Sequence, residues 1–306
     1  MMKDGIKDII KDCKLTNFSD SYENELRTYV AEYLNTHCLP MFDCAMNMLI
    51  GKTEGETEYV GKNPILQNYI FYIQQCKLIY KYIGDKYIVG KKTSEATKCI
   101  AQFITNSFCL LTSISTLLIS NCNQSVITEY RTFYENFIIF SFLKKYPDLV
   151  SAYNDHFQMC RCALEKELAK LKNQNPSDEI LTLYQSLEDK YGKEFKDDYG
   201  WTASKISNRK KRNLETMFSK SGLSVAFSLL YKEACKFTHA TAYSVQFKPD
   251  FQYVSRFIYG TVEILKKEFE ILFEELPMIT KDKAVLRIFV ILISDNFLCR
   301  MDTQTE

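Results

Sequence analysis

An all-α fold is what this sequence predicts, and two observations carry the expectation. Glycine and proline are both scarce, 10 and 6 among 306 residues, against roughly 7% and 5% in an average chain. Apolar residues recur at three- and four-residue intervals over long runs, which is the period of one helix face. The expected architecture is a multi-helix bundle with an N-terminal helical extension.

The extension covers about residues 1–90 and reads as two or three helices. One opens at Ser19 or Asp20, with Glu23 three residues after Asp20 in the manner of a capping box. Residues 51–63, GKTEGETEYVGKN, hold three glycines and no apolar cluster, the mark of a loop. From about Pro64 to Ile83 a helix carries Ile65, Tyr69, Tyr72, Ile73, Cys76 and Tyr80 on one stripe.

Residues 91–306 read as the main bundle domain. Thr93 or Ser94 caps a long helix running to about Ser120, NCNQS turns the chain, and the next helix covers about 126–145. Pro147 suits the first position of the following helix, in which Leu149, Tyr153, Phe157 and Cys160 keep the helical period. That helix becomes strongly charged through EKELAKLK and stops at NQNPSD. Another starts near Asp178 and runs into a charged connector, EDKYGKEFKDDYGW. After the basic stretch SNRKKRN comes a helix expected to hold both Tyr231 and His239. Two closing helices span roughly 250–275 and 280–298. VLRIFVILIS has the composition of a buried strand, but no partner strand is apparent, so a helix is expected there.

Charge and cysteine usage bound the function. With 39 basic and 38 acidic residues, no global field favours nucleic acid, and any such binding needs a local patch. Eleven cysteines lie between Cys13 and Cys299 without a framework spacing, and the charged N-terminus has no apolar signal core. Both point to a cytoplasmic protein with free, mostly buried thiols. Residues 99–128 contain no charge, but their most apolar part, 108–119, is shorter than the roughly 20 residues a spanning helix needs. A buried central helix, and no membrane, is the expectation.

Two sets of residues carry candidate chemistry. Tyr231, Cys235 and His239 recur every four residues, so on one helix they would share a stripe. Arg131 and Glu135 form a second such pair. The order and spacing of these residues resemble an uncharacterised bacterial all-helical family of unknown function. Its pattern is an Arg-x-x-x-Glu helix, later a Trp, then a Tyr-x-x-x-Ser-x-x-x-His helix. The matching positions are Arg131, Glu135, Trp201, Tyr231 and His239, within about residues 90–275, and Cys235 stands where the pattern has serine.

More distantly the arrangement is similar to HEPN domains, helical bundles that include metal-independent ribonucleases of toxin and antiviral systems. Those enzymes place an arginine and a histidine on a late helix in a dimer interface. Here the arginine positions hold Lys232, Glu233 and Ala234, so the signature is incomplete and only Lys232 keeps a cation.

This resemblance implies an RNA-binding protein or ribonuclease of a bacterial defence system, acting as a homodimer without metal or cofactor. His239 would move the proton of the 2′-hydroxyl or the leaving oxygen. Arg131 would neutralise the scissile phosphate. Glu135 would orient Arg131 or His239, and Tyr231 would donate to a phosphate oxygen or stack on a base. The alternative is a non-catalytic interaction protein in which the same network only fixes which helices pack together.

A basic run, Lys205, Arg209, Lys210, Lys211 and Arg212, stands beside Tyr199 and Trp201. Such cations can hold phosphates while aromatics stack on unpaired bases. Equally, the run can be a solvated surface with Trp201 as a core anchor. Cys235 and His239 also have the residue types of a thiol and its base, without the further groups cysteine hydrolases need. His156, Cys160 and Cys162 cluster on one helix, but no second ligand pair stands at structural zinc spacing. His37 and Cys38 read as helix-end and core residues.

Overall fold

The structure is a computed structural model that describes residues 63–223, 225–238 and 242–302, together with Thr28 and Glu32. The helix expected after Ser19, most of the glycine-bearing loop, His37 and Cys38 lie outside the described residues. Among the described residues all regular structure is helical, with ten α-helices and no strand. The all-α expectation is met, VLRIFVILIS included.

Several helix starts are fixed by side-chain caps on the unpaired first amides. Asn63 accepts from the Leu66 amide at 3.0 Å and Pro64 opens α1 (Pro64–Ile83). A π-turn, Gly84–Ile88, follows. Ser94 accepts from the Thr97 amide at 3.0 Å ahead of α2 (Glu95–Ile119). After a turn with Asn121 at φ 53° comes α3 (Asn123–Lys145). Pro147 opens a short 3-10 turn that runs directly into α4 (Val150–Leu171). Ser177 then caps α5 (Asp178–Tyr191).

The charged connector is not a plain loop but holds two 3-10 turns, Lys193–Lys196 and Gly200–Thr202. The region expected to be one helix after the basic run is instead three. They are α6 (Leu214–Ser221), α7 (Val225–Cys235) and the short α8 (Ala242–Gln246). Gly222, at φ 76°, closes α6 in the left-handed conformation that glycine adopts without strain. Asp250 caps α9 (Phe251–Glu275), and α10 (Thr280–Asp302) closes the described chain.

Contacts divide the chain into two compact units. The first takes residues 1–93, 101–137 and 225–306. The described part of the expected N-terminal section therefore shares a unit with the C-terminal helices. Its core is the seam of α1 against α9 and α10. Tyr69 and Tyr72 are buried there, with Tyr69 Oη 2.9 Å from Thr261 Oγ1 and Ser294 donating to Tyr72 Oη at 3.3 Å. The Phe297 ring lies 5.8 Å from both tyrosines.

By length and composition α2 could cross a membrane. In this unit its inward side packs instead. Phe108 meets Tyr80 and Phe269, and Tyr80 donates to the Ala101 carbonyl at 2.7 Å.

The second unit takes residues 94–100 and 138–224. Here α4 and α5 pair as an antiparallel hairpin, tied by Lys190 and Tyr191 to Asp155 at 2.8 and 2.7 Å. Trp201 is 4% exposed and packs edge-on against Phe142 and Tyr153. The turn before it leaves no room for a side chain at Gly200, where a Cβ would lie 2.4 Å from the Phe195 carbonyl oxygen. The seven cysteines whose side chains are described are all free. Three of them (Cys76, Cys99 and Cys162) are buried, and three (Cys109, Cys122 and Cys160) are exposed, so the thiols are less uniformly buried than expected.

Candidate functional site

On α3, Tyr130, Phe133, Tyr134 and Phe137 are buried, which leaves Arg131 and Glu135 on the flank of the helix. They stand one turn apart and pair, Arg131 Nε to Glu135 Oε1 at 2.8 Å, with side chains 25% and 27% exposed. From α7 the Tyr231 hydroxyl donates to the same Glu135 oxygen at 3.0 Å. Its ring stacks on Tyr134 with centroids 5.1 Å apart. Arg131, Glu135 and Tyr231 are therefore one half-buried triad across two helices, with Cys235 at the end of α7.

The surroundings shift both Tyr231 and Arg131. Burial, then the Glu135 charge, push the Tyr231 hydroxyl well above its ordinary range. Tyr231 is thus a donor at neutral pH, never a base. Burial, the largest single influence, works against the Arg131 charge, but Glu135 and Tyr231 together with lesser neighbours outweigh it, and the guanidinium lies above its ordinary value.

The ladder to His239 is broken. The helix ends at Cys235, and the next amides bond three residues back, Lys236 to Glu233 and Phe237 to Ala234 at 3.1 and 3.0 Å. Phe237 is the physical reason. It is 4% exposed and anchored among Tyr243, Phe247 and Tyr253. His239 itself lies outside the described residues. Lys232 is exposed.

The basic run belongs to the second unit, and acids take up three of its five cations. Arg209 grips Asp197 through two nitrogens at 2.6 and 3.0 Å. Arg212 pairs with Glu194 at 2.9 Å and donates to the Ile206 carbonyl, and Lys205 pairs with Asp148 at 2.8 Å. Lys210 and Lys211 are exposed. Trp201 is a core ring, with no face offered to a base. His156 bonds the Asp197 carbonyl at 2.8 Å. No group of three or more His, Cys, Asp or Glu among the described residues could hold a metal ion.

Three constellations escaped the reading of the sequence. On the opposite flank of α7, Glu233 accepts from Tyr253 and from Arg256, the latter at 2.9 Å, with the Arg256 guanidinium 3.8 Å over the Tyr253 ring. Near the start of α10, Asp282 is 3% exposed and accepts from Tyr82, Lys86 and Tyr87.

The third lies in the core. Glu268 is fully buried, accepts from Ser107 at 2.7 Å, and connects through Ser107 to Asn136 and Asn106. Burial lifts its carboxyl to about 8, the Ser107 bond offsetting only part. A signal for it existed. Thr261, Leu265, Glu268 and Leu272 keep the helical period, so the carboxyl stands inside an apolar stripe.

Residues 98–249 match the model of a family of unknown function (DUF5677). The matched stretch is an uncharacterised domain that includes Arg131, Glu135 and Tyr231. Neither a curated protein nor a solved structure matches the chain.

Proposed function

We propose that this protein binds RNA through Arg131, Glu135 and Tyr231 and acts as a HEPN-like, metal-independent ribonuclease in a bacterial antiviral or toxin system. The observation that carries the reading is the way Arg131 is held. Its Nε is fixed by Glu135 at 2.8 Å while the side chain stays 25% exposed. A guanidinium held this way keeps its planar fork oriented for two phosphate oxygens. Tyr231, locked in its protonated form, is a donor for a third. His239, four residues beyond Cys235, is the proton carrier, because an imidazole titrates near neutral pH.

Purified full-length protein incubated with mixed RNAs in EDTA tests this. Cleavage is expected, with His239→Ala and Arg131→Ala each slower by about 100-fold or more. If the wild type leaves the RNA intact, or His239→Ala cuts equally well, the ribonuclease reading is lost.

A second reading is favoured by the Glu233, Tyr253 and Arg256 constellation. The same three residue types bind α7 from its other flank, as a device for seating that helix. On this reading the chain is a non-catalytic interaction protein, and Arg131→Ala lowers thermal stability while abolishing no activity.

A further inference from the structure

On α4, Phe157, Leu164, Leu168 and Leu171 are 64%, 60%, 43% and 80% exposed. Intervals of seven, four and three residues put all four on one face of the helix. That face is opposite the buried His156, Met159 and Cys162, and α5 already occupies the other side, through Asp155 and through Lys166 over the Tyr184 ring. Long apolar side chains at this spacing form the seam of a helix that packs on another helix.

We propose that this stripe pairs antiparallel with the same stripe of a second copy of the chain, with the two-fold axis at Leu164. In that register Leu164 meets its own counterpart and Phe157 meets Leu171 of the second copy, so large apolar groups meet one another. Arg161 lays its aliphatic stem along the second copy's Leu168.

Charge decides the direction. Arg161 and Glu165 lie on one flank of the stripe, Cys160 and Glu167 on the other. Antiparallel pairing brings each flank against its like, so Arg161 of one copy reaches Glu165 of the other. Parallel pairing would set Glu165 against Glu167 along both edges, a like-charge contact. Within one chain Arg161 and Glu165 are only loosely paired, at 3.5 Å with both side chains 46% exposed, and each has capacity for a second partner. The surface lies wholly in the second unit and does not rest on the RNA reading.

Sedimentation of the full-length chain between ~1 and ~100 µM tests the pairing, over the range expected of a small interface. A concentration-dependent dimer is expected. Leu164→Glu changes an exposed side chain, so helix content should be unchanged. It places two carboxylates face to face at the axis and should weaken association by about 100-fold or more. Arg161→Glu should weaken it by about 5- to 10-fold, and adding Glu165→Arg should restore it.

A monomer at every concentration overturns the proposal and leaves the stripe to a different partner. So does a dimer indifferent to Leu164→Glu. A dimer that Leu164→Glu abolishes, but that the double charge exchange fails to restore, overturns the antiparallel register.

Discussion

Replacing Glu268 with glutamine should make the protein more stable at neutral pH and flatten the pH dependence of that stability. The Glu268 side chain is fully buried, and its Oε2 has no hydrogen-bond partner among the described residues. Its carboxyl lies at about 8, against an ordinary 4.5. Between those values the folded chain holds a proton that the unfolded chain has released. The folding advantage is therefore complete below 4.5 and is lost by about 1.4 kcal/mol per pH unit as pH rises toward 8, levelling off beyond.

At pH 7 the rise spans 7 − 4.5 = 2.5 units, a cost of about 3 kcal/mol at most. Glutamine never ionises and escapes this cost, but its amide brings an unpaired donor worth about 1–2 kcal/mol against it. The net gain at pH 7 should be about 1–2 kcal/mol, and near pH 5 the sign should reverse. Urea unfolding followed by circular dichroism at steps from pH 5 to pH 8.5 measures the difference between the two proteins. A difference that stays constant across the range would refute the buried, protonated carboxyl.

Two further perturbations probe the same unit. A Cβ at Gly260 would lie 2.7 Å from Tyr130 Oη and 3.1 Å from Leu230 Cδ1. Gly260→Ala should therefore cost about 1–3 kcal/mol. Tyr130 Oη has no hydrogen-bond partner among the described residues, so Tyr130→Phe alone should be nearly neutral. It should also recover much of the Gly260→Ala loss, as a double-mutant cycle by thermal melting would report. Asp282→Asn takes the charge from a carboxylate that Tyr82, Lys86 and Tyr87 all address. A loss of about 2–4 kcal/mol in urea unfolding is expected, and a change under about 0.5 kcal/mol would show that the three donors contribute little there.

Several helix starts were legible from a local signal. Pro64, Ser94 and Pro147 each stand at a start that the periodicity also requires, and there local chemistry and fold agree. The break between α6 and α7 was missed although Gly222 signals it, because the apolar pattern continues on both sides. The end of α7 was less accessible. Lys236 and Phe237 are acceptable helix residues, and what stops the helix is the burial of Phe237 among rings from α8 and α9, a tertiary effect that overrides propensity.

The candidate site follows the same division. The pairing of Arg131 with Glu135 could be read from their four-residue spacing, whereas the meeting of Glu135 with Tyr231 joins residues 96 positions apart. The Glu233, Tyr253 and Arg256 constellation stayed hidden because its carboxylate and its two donors sit on different helices. Trp201 and the basic run show the limit of composition. The sequence gives the residue types, but only the fold turns the ring inward and sets acids beside three of the cations.

The two units also differ in how the chain is spent on them, which bears on the order of synthesis. The second is almost one stretch, residues 138–224 with a short segment before it, and its helices can pack while the rest is still being made. The first cannot close so early. Tyr69 waits for Thr261, 192 residues on, and Tyr72 waits for Ser294, 222 residues on. On a ribosome adding roughly 5–20 residues each second, the apolar side of α1 would stand uncovered for about ten seconds or longer before α9 and α10 arrive. Contacts of such span are slow to form and leave apolar surface open to aggregation. The seam of Tyr69 and Tyr72 is thus the part of this chain with most to gain from a chaperone during translation.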